Sequence, residues 1–71
     1  MRKTIGQHIK EHRKAAGLTL RELASISGLT FANISHYERN ERFPSCMSLI
    51  ALADALGVSI DELIGHEVVK K

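Results

Sequence analysis

With 71 residues, 44% of them hydrophobic and 25% charged, the chain has the composition of one small globular domain over 1–71, with a core expected over about 5–65 and no room for a second, catalytic domain. No apolar run approaches the ~18 to 20 residues that cross a bilayer, and Gln7, His8, Lys10 and Glu11 interrupt the stretch after Arg2 and Lys3, so neither a membrane span nor a secretory leader is expected. The net charge is only +2 but it is divided: eight Lys/Arg against four Glu over 1–42 leave +4, and two Lys against four acidic residues over 43–71 leave −2.

Five helices are predicted from their caps. Thr4 opens the first, with Ile5, Ile9 and Ala16 at helical spacing, Arg13 on the same stripe and Gly17 as a left-handed stop. Thr19 and Glu22 form a capping box for the second helix, which buries Leu23 and Ala24 and ends at Gly28. Thr30 caps the third, with Ile34 and Tyr37 inward and Asn40 as its left-handed stop, after which Pro44 prevents continuation. Ser45 caps the fourth, whose Leu49, Leu52, Ala53 and Leu56 form an apolar stripe closed by Gly57. Ser59 and Glu62 are a second capping box, starting a short fifth helix through Ile60, Leu63 and Ile64 to Gly65. No strand pattern competes, so the fold is expected to be all-α, and the short connections require helices that cross steeply around one core.

The stretch from Leu20 to Arg39, LRELASISGLTFANISHYER, meets the three conditions for two helices joined by a tight turn. Ala24 is small where the second helix crosses, Gly28 supplies a turn conformation that a Cβ opposes, and Ile34 with Tyr37 fills the wedge. The divided charge then fits one face meeting a polyanion, with scattered surface charge as the plainer alternative.

IKEHRKAAGLTLRELA, SGLTFANISHYER and FPSCMSLIALADALGVSIDELI resemble the Cro/C1-type (XRE) helix-turn-helix family, over nearly the whole chain from Ile5 to Ile64. The resemblance implies a five-helix, lambda-repressor-like DNA-binding domain that acts on double-stranded DNA as a transcriptional regulator. It further implies a homodimer on an inverted repeat, in the cytoplasm and associated with the nucleoid.

It also assigns Phe31 to Arg39 as the recognition helix. Phe31, Ala32, Asn33, Ser35 and His36 are then candidates for reading base edges, and the inward direction of Ile34 and Tyr37 selects the same face. Asn33 suits paired hydrogen bonds to adenine, and Phe31 or Ala32 suits a thymine methyl; Phe31 has a second reading as a packing or partner contact. Phosphate contacts are expected from Thr19, Arg21, Thr30, Arg39, Asn40 and Arg42, which lie near the helix ends beside the groove. Arg2 and Lys3 read as a short arm or as solvated terminal charge. In the family, Arg13 and Glu38 form a partly buried salt bridge, and Arg13 on an apolar stripe agrees with that.

Three departures from the family pattern stand out, the first being Phe31 and Ala32, which stand where the start of the recognition helix is often basic or polar. Leu20 occupies a position where a phosphate-clamping glutamine is common, and Met47, Ile50 and Ala51 make the fourth helix apolar on sides that are normally polar. A dimer interface is therefore expected there, with the fifth helix and Val68–Val69. Cys46 falls where an apolar residue is usual and is expected in the core; as the lone cysteine it forms no internal disulfide, which suits a reducing compartment. His8 and His12 lack the cysteine or acidic cluster that would complete a metal site, and His36 and His66 are isolated, so no metal or cofactor is expected. No nucleophile–base set or phosphate-binding glycine loop points to an enzyme, and no small-molecule substrate is evident. The alternatives are a protein-interaction module, such as the antitoxin of a toxin pair, or a coactivator of the same fold that does not read DNA.

Overall fold

A computed structural model describes residues 4–64, arranged as α1 (Ile5–Ala15), α2 (Leu20–Ser27), α3 (Phe31–Glu38), α4 (Cys46–Leu56) and α5 (Ile60–Ile64), with no strand among them. Arg2, Lys3, Gly65, His66, Val68 and Val69 lie outside the described residues.

Among the described residues every predicted cap forms. The Thr19 hydroxyl accepts from the Glu22 N–H while the Glu22 carboxylate accepts from the Thr19 N–H. Ser59 and Glu62 do the same for α5. Thr30 and Ser45 take up the Asn33 and Ser48 N–H groups. At α1 the box is completed by Gln7, which accepts from the Thr4 N–H. Gly17, Gly28, Gly57 and Asn40 have φ of 74°, 75°, 69° and 61°, the left-handed backbone that ends a helix. These caps occupy the first-turn donors that a short helix otherwise leaves bare.

The core is Ile9, Leu23, Ala24, Ile34, Tyr37, Leu52, Ala53 and Leu63, with Ile5, Leu18, Leu20, Leu29, Leu49, Leu56 and Val58 packed around it. Full burial of an aliphatic side chain is worth roughly 1.5 to 3 kcal/mol each, which is what closes the five short helices on one another. α1 lies against α3 and α5, and α2 against α3 and α4, so α3 is held from two sides.

Two expectations are corrected. Cys46 is exposed, because the first turn of α4 runs past the end of the core; the apolar stripe meets the core only from Leu49 onward. Ala16 is exposed at the C-cap of α1, beyond the last turn that packs. Ile60, at the start of α5, is partly solvent-facing, and Leu63 alone of that helix is fully buried. Among the described residues no helix is long and apolar enough to cross a membrane, and no three His, Cys, Asp or Glu gather as a metal site. His8 and His12 sit half-buried on α1, and His12 Nε2 lies 3.3 Å from the Glu62 carbonyl oxygen of α5.

The α5 cap carries a pH dependence. The hydrogen bond from the Ser59 backbone N–H, then that with the Ser59 hydroxyl, hold the Glu62 carboxyl below its ordinary 4.5, against a smaller opposing effect of desolvation and with the least help from the nearby His12. In acid the unfolded chain therefore protonates Glu62 first. The contribution of Glu62 to stability is complete above the ordinary value and is lost as pH falls through the lower folded-state value. Urea midpoints measured across that acid range should flatten in Glu62→Gln relative to the parent, with little change between them in slope at neutral pH.

Candidate nucleic-acid interface

The interface rests on how the α2–α3 turn aims α3. Gly28, in the left-handed region, closes α2, and Leu29 and Thr30 lead directly into the next helix. Ile34 is fully buried and Tyr37 nearly so, which fixes the inner side of α3. The Tyr37 hydroxyl donates to Ser48 Oγ at 3.4 Å, and Ser45 Oγ donates to the same oxygen at 3.1 Å, tying α3 to the start of α4.

The far end of α3 is held by an ion pair. Arg13 Nε and Nη2 donate to the two Glu38 oxygens at 2.7 and 3.1 Å, and Nη1 donates to the Leu18 carbonyl at 2.9 Å. The side chains are only 11% and 7% exposed, so the fork-to-fork geometry is shielded from water. Close by, the Gly6 N–H donates to Asn40 Oδ1 at 3.3 Å, where α1 meets the end of α3.

With Ile34 and Tyr37 turned in, helical geometry centres the outer side of α3 on Ala32, Ser35 and His36, flanked by Phe31 and Asn33. Phe31 and Ala32 are exposed; Asn33, Ser35 and His36 are half-buried. All five candidate base-reading residues thus share one surface. The Thr19 and Thr30 hydroxyl oxygens accept cap bonds, and each keeps its own hydrogen for an outside acceptor.

The basic residues around this surface are not equivalent. Arg42 and Arg21 are exposed, and the Arg21 guanidinium lies 5.1 Å from the centre of the Phe31 ring. Arg39 Nη2 is 3.3 Å from Glu41 Oε1, an oxygen that also lies 2.7 Å from His36 Nδ1. Glu41 was not among the candidate residues, yet it gathers one candidate base contact and one candidate phosphate contact. Its spacing, five residues from His36 across a helix end, has no regular pattern to betray it. The Asn40 side-chain oxygen Oδ1 is turned toward α1, where it accepts from the Gly6 N–H. Leu20 packs beside the core. Phe43 at 83% and Met47 at 74% exposure, with Ile50, add an apolar surface along the loop and α4, on which Phe43 was also not anticipated.

The sequence model of the helix-turn-helix family matches residues 9–63. The chain belongs to that family, of the Cro/C1 (XRE) type. The relatives that it matches include transcriptional regulators and repressors. The HTH-type transcriptional regulator ImmR of Bacillus subtilis (strain 168) is 37% identical over 68 residues, covering 96% of this chain and 54% of ImmR. The chain therefore spans about half the length of that relative. SinR, the master regulator for biofilm formation, solved in complex with DNA, superposes with a TM-score of 0.82 at 39% identity, over 84% of this chain and 97% of that one. The P22 c2 repressor in complex with the synthetic operator 9T superposes with a TM-score of 0.85 at 30% identity, over 93% of this chain and all (100%) of that one. The five-helix, lambda-repressor-like architecture is thus shared with a regulator and a repressor that have each been solved with DNA.

Proposed function

We propose that the chain is a sequence-specific DNA-binding transcriptional regulator that sets α3 into the major groove of a short operator. The observation that carries this is the outward face of α3, offered by a scaffold that superposes on SinR and the P22 c2 repressor, each solved with DNA. Asn33 pairs with an adenine edge, Ser35 and His36 contact neighbouring bases, and Phe31 and Ala32 meet apolar base groups. Thr19, Arg21, Thr30, Arg39, Asn40 and Arg42 grip phosphates and set the register. Glu41 must release His36 and Arg39 for both to serve, so those two are the contacts that depend on rearrangement. Met47, Ile50 and Ala51 form the contact between two copies, which act as a homodimer on an inverted repeat with half-sites about one helical turn apart. The site of action is the cytoplasm, on the nucleoid.

Selection of random duplex DNA by the purified chain tests this. An inverted repeat should emerge, with log affinity falling linearly against log salt. Asn33→Ala should then bind the selected operator about tenfold more weakly, about 1.4 kcal/mol, with an unchanged salt slope. Arg42→Ala serves as the contrast, lowering that slope. Weak binding without sequence preference overturns the reading. It would favour the second one, a protein-interaction module, for which the exposed Phe43, Met47 and Ile50 are the supporting observation.

A further inference from the structure

Phe31 combines features that its position as the first residue of α3 does not require. It is a large apolar side chain left 42% exposed, although a polar residue would satisfy a helix start equally well. One side of its ring is covered by the Arg21 guanidinium, whose centre lies 5.1 Å from the ring centroid. That distance places a cation–π contact between the first turn of α2 and the first turn of α3, across the turn that defines the motif. A guanidinium carries five N–H donors, so one held over a ring keeps donors that point away from it. Arg21 can therefore hold the ring and grip a phosphate at once. The uncovered part of the ring is an apolar surface beside Ala32, which is itself exposed.

We propose that Phe31, held by Arg21, reads the 5-methyl group of a pyrimidine in the major groove. This rests on the DNA-binding reading above. In B-DNA the pyrimidine 5-methyl is the apolar group that the major groove presents, and thymine and 5-methylcytosine both carry it. Asn33, Ser35 and His36 offer hydrogen bonds, whereas Phe31 offers none, so its part in discrimination is to cover that methyl and exclude water. Arg21 is the positioning residue. By joining the ring to a phosphate contact, it converts backbone register into the distance between ring and methyl.

The test uses the purified chain and the duplex recovered by selection. Each thymine of a half-site is replaced in turn by deoxyuridine, which removes the methyl and keeps every hydrogen-bonding group. Where the selected half-site carries cytosine, cytosine is compared with 5-methylcytosine at the same position. Burial of one methyl corresponds to about fourfold in affinity, and that loss should appear at one thymine, or that gain at one methylated cytosine. A uracil penalty alone identifies thymine as the source; a gain at 5-methylcytosine shows that the methyl is read on cytosine as well. Phe31→Ala should bring the ratio between methylated and unmethylated duplexes to about one. Arg21→Lys, which keeps the charge and loses the planar guanidinium, should keep the salt slope while shrinking the same ratio. Tight, sequence-specific binding that ignores the methyl at every position overturns this inference and leaves DNA recognition intact. The same holds if the ratio survives in Phe31→Ala. Absence of specific binding to any duplex would instead fail the underlying reading and carry this one with it.

Discussion

Glu38→Ala should lower the folding stability of the chain by about 3 to 5 kcal/mol, the largest effect expected of a surface-to-core polar substitution here. The reason is the asymmetry of a shielded ion pair. With Glu38 present, each of two Arg13 nitrogens has its own carboxylate oxygen, and a third donates to the Leu18 carbonyl. With Glu38 truncated, the guanidinium stays charged and almost wholly buried, and only the Leu18 carbonyl remains as its partner. A small domain is stable by roughly 5 to 15 kcal/mol in total, so such a loss takes away much of the margin. Urea denaturation followed by helical circular dichroism reads it directly as a lower midpoint.

The pair need not be net stabilising for that prediction to hold. Desolvating two charges costs nearly what their attraction returns, and an apolar pair of similar volume often does as well. The double variant Arg13→Met with Glu38→Leu should therefore recover most of the stability lost in Glu38→Ala. A loss below about 1 kcal/mol in Glu38→Ala would mean that the pair behaves as an exposed one, open to water. What the polar pair adds over its apolar replacement is direction. Glu38 is the last residue of α3 and Arg13 lies on α1, so a bidentate contact fixes the angle of α3 in a way that interchangeable methyl groups do not.

The legible part of this molecule was the part encoded locally. Thr19 with Glu22, Ser59 with Glu62, and Gly28, Gly57 and Asn40 as left-handed stops act within one turn of themselves, so the residues name the helix ends without any knowledge of the packing. The inner face of α3 was legible for a related reason. Ile34 and Tyr37, three apart, can both be buried on only one side, and that choice determines which residues face outward. What escaped the sequence depended on distance. Cys46 lies on the line of the apolar stripe of α4, but a stripe does not say where along it the core begins. Glu41 binds His36 and Arg39 only because the chain turns back after α3. The Arg21–Phe31 contact needed the angle between α2 and α3, and neither residue predicts the other by spacing.

Gly6 is the strongest case of this kind, and it yields a substitution whose effect has the opposite sign from the one its sequence context suggests. It is the second residue of α1, with helical backbone, so alanine there would ordinarily add roughly 0.5 to 1 kcal/mol by stiffening the helix. The packing forbids it. A Cβ on Gly6 would fall inside contact distance of three oxygens: the Tyr37 carbonyl, Asn40 Oδ1 at 2.7 Å and the Glu38 carbonyl at 2.9 Å. Two of these are backbone atoms at the end of α3 and cannot rotate away. Relief requires α1 to withdraw from α3, which also stretches the Gly6 N–H bond to Asn40. Gly6→Ala should therefore destabilise by about 3 kcal/mol, at the upper end of the cost of overfilling a packed site. Asn40→Gly added to it removes one of the three obstacles, and glycine accepts the 61° φ without strain, so this pair should regain a minor share of the loss and no more. Thermal unfolding of the four proteins in that cycle decides the matter. A Gly6→Ala variant as stable as its parent would mean that α1 and α3 do not approach so closely, and that α3 is held at that end by the Arg13–Glu38 pair.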